Sequence, residues 1–388
     1  MRQTPHAHDP ADGFPFDYGL YNGRFQIVTE AHLHTARQMT ARARRGIINI
    51  GSINRSRDTR NPFTFDERRE MWEAALGPDH DIVIIGQEDR GNGPKWASEV
   101  QAKVEAIIAA DGATDPEVMI IGHRKDTTSD YLYDFPLYQL EEVRNVGDNL
   151  SASTIRAEMF RVGRTAHADG WFATLCGRVP DPVVAILRRF MATDAYADLV
   201  VEFERNEALA AQWKVRDTPD GPGVPYPVLF NTSDAFITQG NSMLLVKRRG
   251  YPGRGLWALP GGFVNERERV LDAAIRETFE ETKLNVSDLD LRKSLVDDFY
   301  EDEPWRSTRG RTITFVHMFQ LKPTPTGRTS AERRASVGLP RVRGTDDAEI
   351  ARWFTFDQVA DMRDRLFEDH AILIEKALAR MGRIKRSR

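Results

Sequence analysis

The 388-residue chain lacks the features that mark several classes of protein. It has a single cysteine, Cys176, which excludes a disulfide framework and a zinc site built from cysteines. No apolar run approaches the roughly 20 residues that a membrane-spanning helix needs, and the N-terminal segment MRQTPHAHDPADG lacks the apolar core of a signal peptide. We therefore expect a protein of a reducing, cytoplasmic compartment that does not bind a membrane, with residues 1–15 as a disordered tail.

An excess of charge of either sign is also missing. The formal net charge is only −4, so nothing in the overall charge favours nucleic acid as a partner. With 40% hydrophobic and 29% charged residues, the composition is that of an ordinary globular protein. A chain of this length is expected to form two domains.

Proline and glycine mark the expected division between the domains. Residues 214–227, KVRDTPDGPGVPYP, cannot continue a helix and are typical of a linker, whereas residues 181–212 have helical spacing of apolar side chains. We therefore expect one domain at residues 16–170, a helical connector and linker at 171–227, and a second domain at 228–388. A loose segment at 323–344 is expected to be a surface loop of the second domain.

The most informative segment is residues 260–284, PGGFVNERERVLDAAIRETFEETKL. Glu277, Glu280 and Glu281 stand at i, i+3 and i+4, so they share one face of a helix. Clustered carboxylates repel one another unless a cation lies between them, and Mg²⁺ prefers oxygen ligands. A solvated acidic face is the usual explanation of such a helix, but a buried strand at 257–259 and a Pro-Gly-Gly turn disfavour it. The pattern predicts a Mg²⁺ site, with Mn²⁺ as the alternative cation.

This spacing resembles the Nudix box, in which a glycine is followed six residues later by a glutamate, then by Arg-Glu and a Glu-Glu pair. The resemblance implies a Nudix α/β/α sandwich, with Gly262, Glu277, Glu280 and Glu281 at the metal and Glu280 and Glu281 in catalysis. Two positions depart from the pattern. Thr278 replaces an aliphatic residue, and Lys283 replaces a glycine in the turn that ends the helix.

Two later segments concern the substrate of this half. Residues 305–314, WRSTRGRTIT, and 344–353, GTDDAEIARW, resemble loops of the ADP-ribose pyrophosphatase-like Nudix group. Arg309 and Arg311 are then donors to phosphate or ribose oxygens, although surface arginines are the simpler explanation. The resemblance implies hydrolysis of ADP-ribose to AMP and ribose 5-phosphate.

In the first half, short apolar runs alternate with helical patterns. The runs at 18–21, 46–50, 81–85 and 118–121 predict strands, and the stretches at 31–44, 66–76 and 96–110 predict helices. This alternation favours a parallel sheet with helices on both faces. In such a sheet a ligand binds beyond the carboxyl ends of the strands.

Three loops at those ends carry residues suited to phosphate. The first, 23–32, has Thr29 as a helix cap, His32 in the first turn and Arg24 beside it, although a helix cap with an incidental histidine explains this loop alone equally well. The second loop, 51–64, carries three arginines. The third, 149–156, opens a helix with hydroxyls and one arginine. The residues of the last two loops are Arg55, Arg57, Arg60, Ser151, Ser153, Thr154 and Arg156.

Together these loops resemble the archaeal-type nicotinamide mononucleotide adenylyltransferases of the H-x-G-H nucleotidyltransferase superfamily. GRFQIVTEAH stands where that family has GRFQPFHxGH, and NPFT at 61–64 is followed by Asp66, Glu67 and Arg68. Residues 150–156 match the family's I-S-x-T-x-I-R-like motif, with Ser153 in the threonine place. Thr29 replaces the first histidine of the motif and Ala31 its glycine, while His32 keeps the second histidine.

The resemblance implies a Rossmann-like domain in which the mononucleotide phosphate attacks the α-phosphorus of ATP, giving NAD and pyrophosphate. His32, Arg24 and Arg156 would serve the ATP phosphates and the developing charge. Trp96 would stack on nicotinamide, unless it packs in the core, and Lys125 and Asp126 would lie at the rim. The implied nucleotide-binding residues are Gly23, Phe25, Thr29, Asn61, Trp96, Lys125, Asp126, Ser151, Ser153 and Thr154.

The order of the halves resembles the bifunctional nicotinamide mononucleotide adenylyltransferase/Nudix hydrolase proteins of bacteria. The implied ligands are ATP, nicotinamide mononucleotide, NAD and ADP-ribose, and a homo-oligomer stays open. An alternative is a transferase whose Nudix half only binds a nucleotide as a regulatory sensor. A DNA-binding regulator is disfavoured, because only about 35 residues follow Trp353 and the net charge is negative.

Overall fold

The computed structural model describes residues 13–78, 80–90, 93–123, 132, 134–143, 151–163, 168–216, 229–322 and 338–382. The chain divides into two compact units, Met1–Val200 and Val201–Arg388, and the division falls within one long helix. In this described part, no helix is both long and apolar enough to cross a membrane.

The first unit is built on a five-stranded sheet in the order β3-β2-β1-β4-β5, with every neighbouring pair parallel. This is the predicted Rossmann-like sheet. Its strands are β1 (Phe16–Gly23), β2 (Ala43–Ile50), β3 (Ile82–Gly86), β4 (Val118–Gly122) and β5 (Gln139–Glu142). The helices that accompany it are α1 (Glu30–Thr40), α2 (Phe65–Leu76), α3 (Gly93–Asp111), α4 (Ala152–Val162), α5 (Ala168–Ala173), α6 (Asp181–Met191) and α7 (Asp194–Arg216).

Two helix boundaries differ from the sequence prediction. The helix expected at 31–44 is wrong at its end, because α1 stops at Thr40 and residues 43–45 pair with β1 as part of β2. The single connector helix expected at 181–212 is two helices. Thr193 separates them, since its hydroxyl accepts the Tyr196 amide hydrogen at 3.2 Å and so caps the start of α7.

The second unit contains a mixed sheet in the order β10-β11-β6-β7-β12, with two short strands alongside. β6 and β11 run parallel, and the other pairs are antiparallel. The strands are β6 (Phe230–Gln239), β7 (Ser242–Arg248), β8 (Trp257–Ala258), β9 (Gly261–Phe263), β10 (Leu295–Glu301), β11 (Thr312–Gln320) and β12 (Ala348–Thr355). The helices are α8 (Val270–Thr282), α9 (Asp288–Lys293), α10 (Phe356–Ala360) and α11 (His370–Arg380).

Each face of this sheet is covered by a separate apolar cluster, because side chains alternate along a strand. On one face, Leu244 lies in a cluster with Ile275 of α8. On the other face, the next residue, Leu245, lies in a cluster with Leu373 of α11. The arrangement is the predicted Nudix sandwich, and it presents the N-terminal end of β9 to the carboxylates of α8.

Candidate active sites

In the first unit, the loops after β1 and β2 are tied together by Arg68 of α2. This side chain is only 1% exposed, and its guanidinium donates to the carbonyl oxygens of Arg24 and Gly51, each at 2.7 Å, and of Thr64 at 3.1 Å. Burial lowers its pKa to about 10, which leaves it charged near neutrality. The sequence identified Arg68 only as part of a motif, since nothing local indicates that a buried arginine will organise two loops.

The backbone of the loop after β1 is shaped by a packed aromatic group. Phe25 has a positive φ of 47°, and its ring lies 5.0 Å from that of Trp72 and 5.2 Å from that of His32. A Cβ at Gly23 would lie 2.6 Å from the Phe25 ring, so only glycine fits there. The loop therefore has a defined form although it departs from the family motif at Thr29 and Ala31.

His32 is held in one tautomer by the start of α1. Thr29 caps the helix, and its backbone N–H donates to Nδ1 of His32 at 3.2 Å, so the neutral ring carries its proton on Nε2. Burial lowers the pKa of His32 to about 4; a hydrogen bond with the Ile27 backbone opposes this, and the neighbouring charge of Arg156 acts in the same direction as burial. At neutral pH His32 is thus an uncharged donor beside an arginine.

Arg156 of α4 belongs to a group of like charges. Burial and then the charges of Arg24 and Arg60 lower its pKa to about 10, and Asp58 opposes this. Its Nη1 makes only a long contact, 3.5 Å, with the carbonyl oxygen of Gln26. Three arginines placed together in this way favour a bound anion.

The start of α4 adds further donors to this region. Its N-cap, Ser151, makes no side-chain cap hydrogen bond, in contrast to Thr29 and Thr64 at the starts of α1 and α2. Ser153 and Thr154 are exposed in its first turn. Free backbone amides and hydroxyls at a helix start suit phosphate oxygens.

In the loop after β2, two of the predicted residues stabilise the loop itself and one is placed to contact a ligand. Arg57 forms a two-bond ion pair with Glu67, at 2.7 and 2.8 Å, and Arg55 pairs with Asp89 at 2.8 Å, so both hold the loop in shape. Asn61 donates to Asp58 and is 8% exposed, while its Oδ1 has no partner in the part of the chain that the structure describes. A buried acceptor of this kind favours a ligand with a donor group.

Three further residues of the first half, Trp96, Lys125 and Asp126, were predicted to bind the nucleotide. Trp96 lies in the first turn of α3, partly buried, with its ring 6.0 Å from that of Phe135. Trp96 therefore packs against the core of this unit, as the simpler explanation held, and stacking on nicotinamide stays a prediction. Lys125 and Asp126 lie outside the described residues.

In the second unit, two carboxylates of α8 lie against Gly261 and Gly262, which begin β9 and do not form the turn that the sequence predicts. Glu281 is 5% exposed, and its Oε2 accepts the Gly261 amide hydrogen at 3.0 Å. A Cβ at Gly262 would lie 2.4 Å from Oε1 of Glu277, so glycine is required for Glu277 to approach. Gly262 thus has a steric role besides its predicted place at the metal, and Glu277 and Glu281 lie side by side against the two glycines.

Arg276 binds two of the three predicted metal ligands. Its guanidinium donates to both oxygens of Glu268 at 2.8 and 3.0 Å, and its Nη1 donates to Glu277 at 2.8 Å and to Glu280 at 2.9 Å. Within the described ranges, no three acidic, histidine or cysteine side chains form a cluster that could hold a metal. Glu277 therefore lies beside Glu281 on one side and shares Arg276 with Glu280 on the other.

The two assembled carboxylates nevertheless fit a divalent cation. Burial raises the pKa of Glu281 to about 8, with the carboxylates of Glu277 and Asp234 acting in the same direction. Burial also raises the pKa of Glu277. Paired oxygen donors that resist ionisation alone are stabilised as anions by Mg²⁺ or Mn²⁺.

This electrostatic arrangement predicts that cation binding releases a proton. The pKa of folded Glu281, about 8, lies above its ordinary value, so the protonated carboxyl stabilises the fold at low pH and that stability is lost as the pH rises through 8. At pH 7 Mn²⁺ must displace the proton, and at pH 9 it need not. Calorimetric titration in two buffers of different ionisation enthalpy should show roughly one proton released at pH 7 and almost none at pH 9. Equal release at both pH values, or release retained in Glu281→Gln, would contradict this assignment.

Lys283 reproduces the turn that a glycine would make. It lies at the C-cap of α8 in the left-handed region, with φ 43° and ψ 40°, and its backbone N–H donates to the Phe279 carbonyl at 3.2 Å. Thr278 is also accommodated, since its buried hydroxyl donates to the Ala274 carbonyl at 2.7 Å. Both departures from the Nudix pattern are thus compatible with an intact α8 and its C-terminal turn.

Lys283→Gly should therefore stabilise the second unit. A lysine in the left-handed region carries strain of about 1 kcal/mol or more, which glycine relieves. We expect the free energy of unfolding in urea to rise by about 1 kcal/mol, whereas Lys283→Ala, which keeps a Cβ, should give no gain. A loss of stability in the glycine variant would show that the lysine side chain makes a favourable contact at this turn.

A polar cleft adjoins Gly261 and Gly262 of β9. It is lined by both glycines and by Asp234, Arg248, Arg309 and Phe367 among others. The guanidinium carbon of Arg248 lies 4.2 Å from the centre of the Phe367 ring, and that of Arg309 lies 5.7 Å from it. Burial and the charge of Arg309 lower the pKa of Arg248. The two guanidinium groups form a candidate site for a diphosphate.

The two predicted arginines of this half differ in position. Arg309 lines the cleft, as expected of a substrate residue. Arg311 instead donates to the carbonyl oxygen of Asp302 and is not among the residues that line the cleft. Both arginines precede β11, in a segment where side chains do not alternate between two faces as they do in a strand. The sequence therefore could not predict which of the two lines the cleft.

The cleft wall contains residues that the sequence did not single out. Arg306 and Asp369, each 3% exposed at the side chain, form a two-bond ion pair at 2.9 Å. Glu368 has a positive φ of 43° and accepts from the Ser307 hydroxyl at 2.8 Å and the Thr308 amide at 3.1 Å. The sequence shows only that two acidic residues, Glu368 and Asp369, stand next to each other. It does not show their partners, Ser307 and Arg306, which lie some 60 positions earlier in the chain.

The comparisons with known proteins agree with this geometry. Residues 20–156 match the model of the cytidylyltransferase-like family, and residues 229–377 match that of the NUDIX domain. A nicotinamide/nicotinic acid mononucleotide adenylyltransferase of Acinetobacter baylyi is 28% identical over 197 residues, which are 50% of this chain and 97% of that protein.

Two crystal structures match almost the whole chain. Both are of a bifunctional NMN adenylyltransferase/ADP ribose pyrophosphatase from Francisella tularensis. One is 30% identical, covering 94% of this chain and 99% of its own with a TM-score of 0.80. The other, complexed with AMP and a Mn ion, is 28% identical, covering 95% and 100% with a TM-score of 0.80. The chain belongs to the family of bifunctional NMN adenylyltransferase/ADP-ribose pyrophosphatases.

Proposed function

We propose that this chain catalyses two reactions of NAD metabolism. The first transfers the adenylyl group of ATP to nicotinamide mononucleotide, giving NAD and pyrophosphate. The second hydrolyses ADP-ribose to AMP and ribose 5-phosphate with a divalent cation, Mg²⁺ or Mn²⁺. We assign the first reaction to residues 16–170 and the second to residues 228–388.

The observation that carries the first assignment is the group of Arg24, Arg60 and Arg156 beside a neutral His32. In adenylyl transfer, a phosphate oxygen of the mononucleotide forms a bond to the α-phosphorus of ATP, and the bond to the pyrophosphate oxygen breaks. No protein nucleophile is needed, so the chain contributes position and charge. The arginines would balance the phosphate charges, and the neutral His32 ring, which hydrogen-bonds the Ile27 backbone in this structure, would turn its N–H to a phosphate oxygen without adding a charge of its own.

The pair Glu277 and Glu281, next to Arg248 and Arg309, carries the second assignment. A cation held by the glutamates would offset the diphosphate charge and lower the pKa of a bound water. Glu277 and Glu281 would supply its oxygen ligands, and Glu280 would join them once Arg276, which binds both Glu277 and Glu280, is displaced. Arg248 and Arg309 hold the diphosphate while water oxygen bonds to one phosphorus and the anhydride bond breaks, with the water proton passing to solvent.

A regulatory nucleotide sensor is the second candidate for the Nudix half. One observation favours it, namely that Arg276 binds both Glu277 and Glu280 and that, among the described residues, the carboxylates of α8 form no three-membered cluster. A sensor would bind ADP-ribose at the arginines of the cleft and leave it intact. The hydrolytic assignment is preferred, because Glu277 and Glu281 already lie side by side against Gly261 and Gly262.

Product identification tests both assignments. The protein is incubated with ATP, nicotinamide mononucleotide and Mg²⁺, and separately with ADP-ribose and Mg²⁺, and the products are identified by mass. We expect NAD in the first mixture, and AMP with ribose 5-phosphate in the second. Binding of ADP-ribose without cleavage would favour the sensor, and absence of NAD would remove the transferase assignment.

A further inference from the structure

The C-terminal half of α7 contacts the loop that follows Arg248 and the loop that carries Arg309, the two arginines of the hydrolase cleft. This helical segment belongs to the second unit, although it precedes residues 229–377, which match the NUDIX family. Glu202 and Asn206 lie four residues apart and therefore on one face of the helix. Glu202 is 4% exposed, which is unusual for a carboxylate without a structural task.

Glu202 contacts the loop that follows Arg248. Its Oε2 accepts the backbone N–H of Gly253 at 3.2 Å. Gly253 has a positive φ of 72°, and a Cβ there would lie 2.2 Å from the Phe367 ring, so the loop lies flat against that ring. Arg248 donates from Nε to the Pro252 carbonyl at 2.9 Å and stacks on the same ring at 4.2 Å. The carboxylate of Glu202 thus fixes the loop on which the position of Arg248 depends.

Asn206 contacts the loop that carries Arg309. Its Nδ2 donates to the Thr308 hydroxyl at 3.2 Å, next to Arg309 in the chain. The Thr308 amide donates to Glu368 at 3.1 Å, and Arg309 donates from Nε to the Ser307 hydroxyl at 3.2 Å. Two residues on one helix face therefore contact the loop on which Arg248 rests and the loop that carries Arg309.

We propose that Glu202 and Asn206 are positioning residues of the hydrolase, which hold Arg248 and Arg309 in place for the diphosphate of the substrate. The proposal rests on the proposed hydrolysis of ADP-ribose. Neither residue is among those that line the cleft, so their removal should loosen substrate binding more than it slows the chemical step. When a lost interaction stabilises the bound substrate and the transition state equally, KM rises and kcat changes little.

The test uses the full chain with the variants Glu202→Ala, Glu202→Gln and Asn206→Ala. Glu202→Ala should raise KM for ADP-ribose roughly tenfold and change kcat less than about threefold, a loss of about one hydrogen bond to a charged group. Glu202→Gln keeps an oxygen that accepts from Gly253 and should stay within about threefold of the wild-type KM. Asn206→Ala, at a less buried position, should raise KM about threefold.

The control is Glu204→Ala, an exposed residue of the same helix, which should leave both constants unchanged. NAD synthesis by each variant reports on the first unit of the same polypeptide and should not change. An unchanged KM in Glu202→Ala and Asn206→Ala, or a Gln variant as impaired as the Ala variant, would overturn the proposal. A wild-type chain that does not cleave ADP-ribose would instead remove the proposed function.

Discussion

Glu281→Gln is expected to abolish cleavage of ADP-ribose while NAD synthesis continues at the wild-type rate. Glu281 is nearly fully buried, accepts from the Gly261 amide and lies beside Glu277. Glutamine has almost the same shape but cannot become an anion, so it offers the cation a weaker ligand. Because a bound cation offsets several kcal/mol of charge in the transition state, the loss of kcat/KM should be on the order of 10³-fold or more.

The matched control for that variant is Glu266→Gln, an exposed glutamate in the loop before α8. It makes the same chemical change outside the carboxylate pair and should retain hydrolysis. Both rates are measured on one preparation, with release of AMP and formation of NAD as the readouts. Near-normal hydrolysis in Glu281→Gln would show that the cation binds elsewhere.

His32→Ala is expected to reduce NAD formation by about 10²- to 10³-fold without affecting hydrolysis, the usual effect of losing one aligned donor to a developing charge. Thr29 fixes the His32 tautomer, so the ring carries its donor on Nε2 before substrate arrives. With a pKa of about 4, His32 stays uncharged near neutral pH, and its removal costs a donor and not a charge.

His34→Ala is the control, since His34 lies two residues further along α1 and outside the loop. Initial rates of NAD formation at saturating ATP and mononucleotide give the comparison. If His32→Ala retained more than about a third of the wild-type rate, a loss far smaller than one donor should cause, the arginines alone would account for the transfer.

Local periodicity explains why much of both sites could be predicted from the sequence. The helical spacing of Glu277 and Glu281, and the cap formed by Thr29 before His32, are decided within a few residues. The parallel sheet followed from alternating strands and helices, and it placed the loops of Arg24 and Arg156 at one edge.

The rest depends on contacts between distant residues, which no local pattern reveals. Arg248 becomes a cleft residue only because Phe367, far along the chain, lies under it. Glu280 has the same spacing as its neighbours, yet Arg276 competes for it. Glu202 lies in a segment whose sequence predicts only a helical connector. Its hydrogen bond from the Gly253 amide forms only in the folded chain and has no local sequence signal.

The central claim is that one chain carries two independent catalytic sites, and a double-variant comparison tests it most directly. NAD formation and ADP-ribose cleavage are measured for wild type, His32→Ala, Glu281→Gln and the double variant. We predict that His32→Ala reduces NAD formation by the same factor with either residue at position 281, and that Glu281→Gln reduces cleavage by the same factor with either residue at position 32. Loss of both activities in either single variant would contradict the claim.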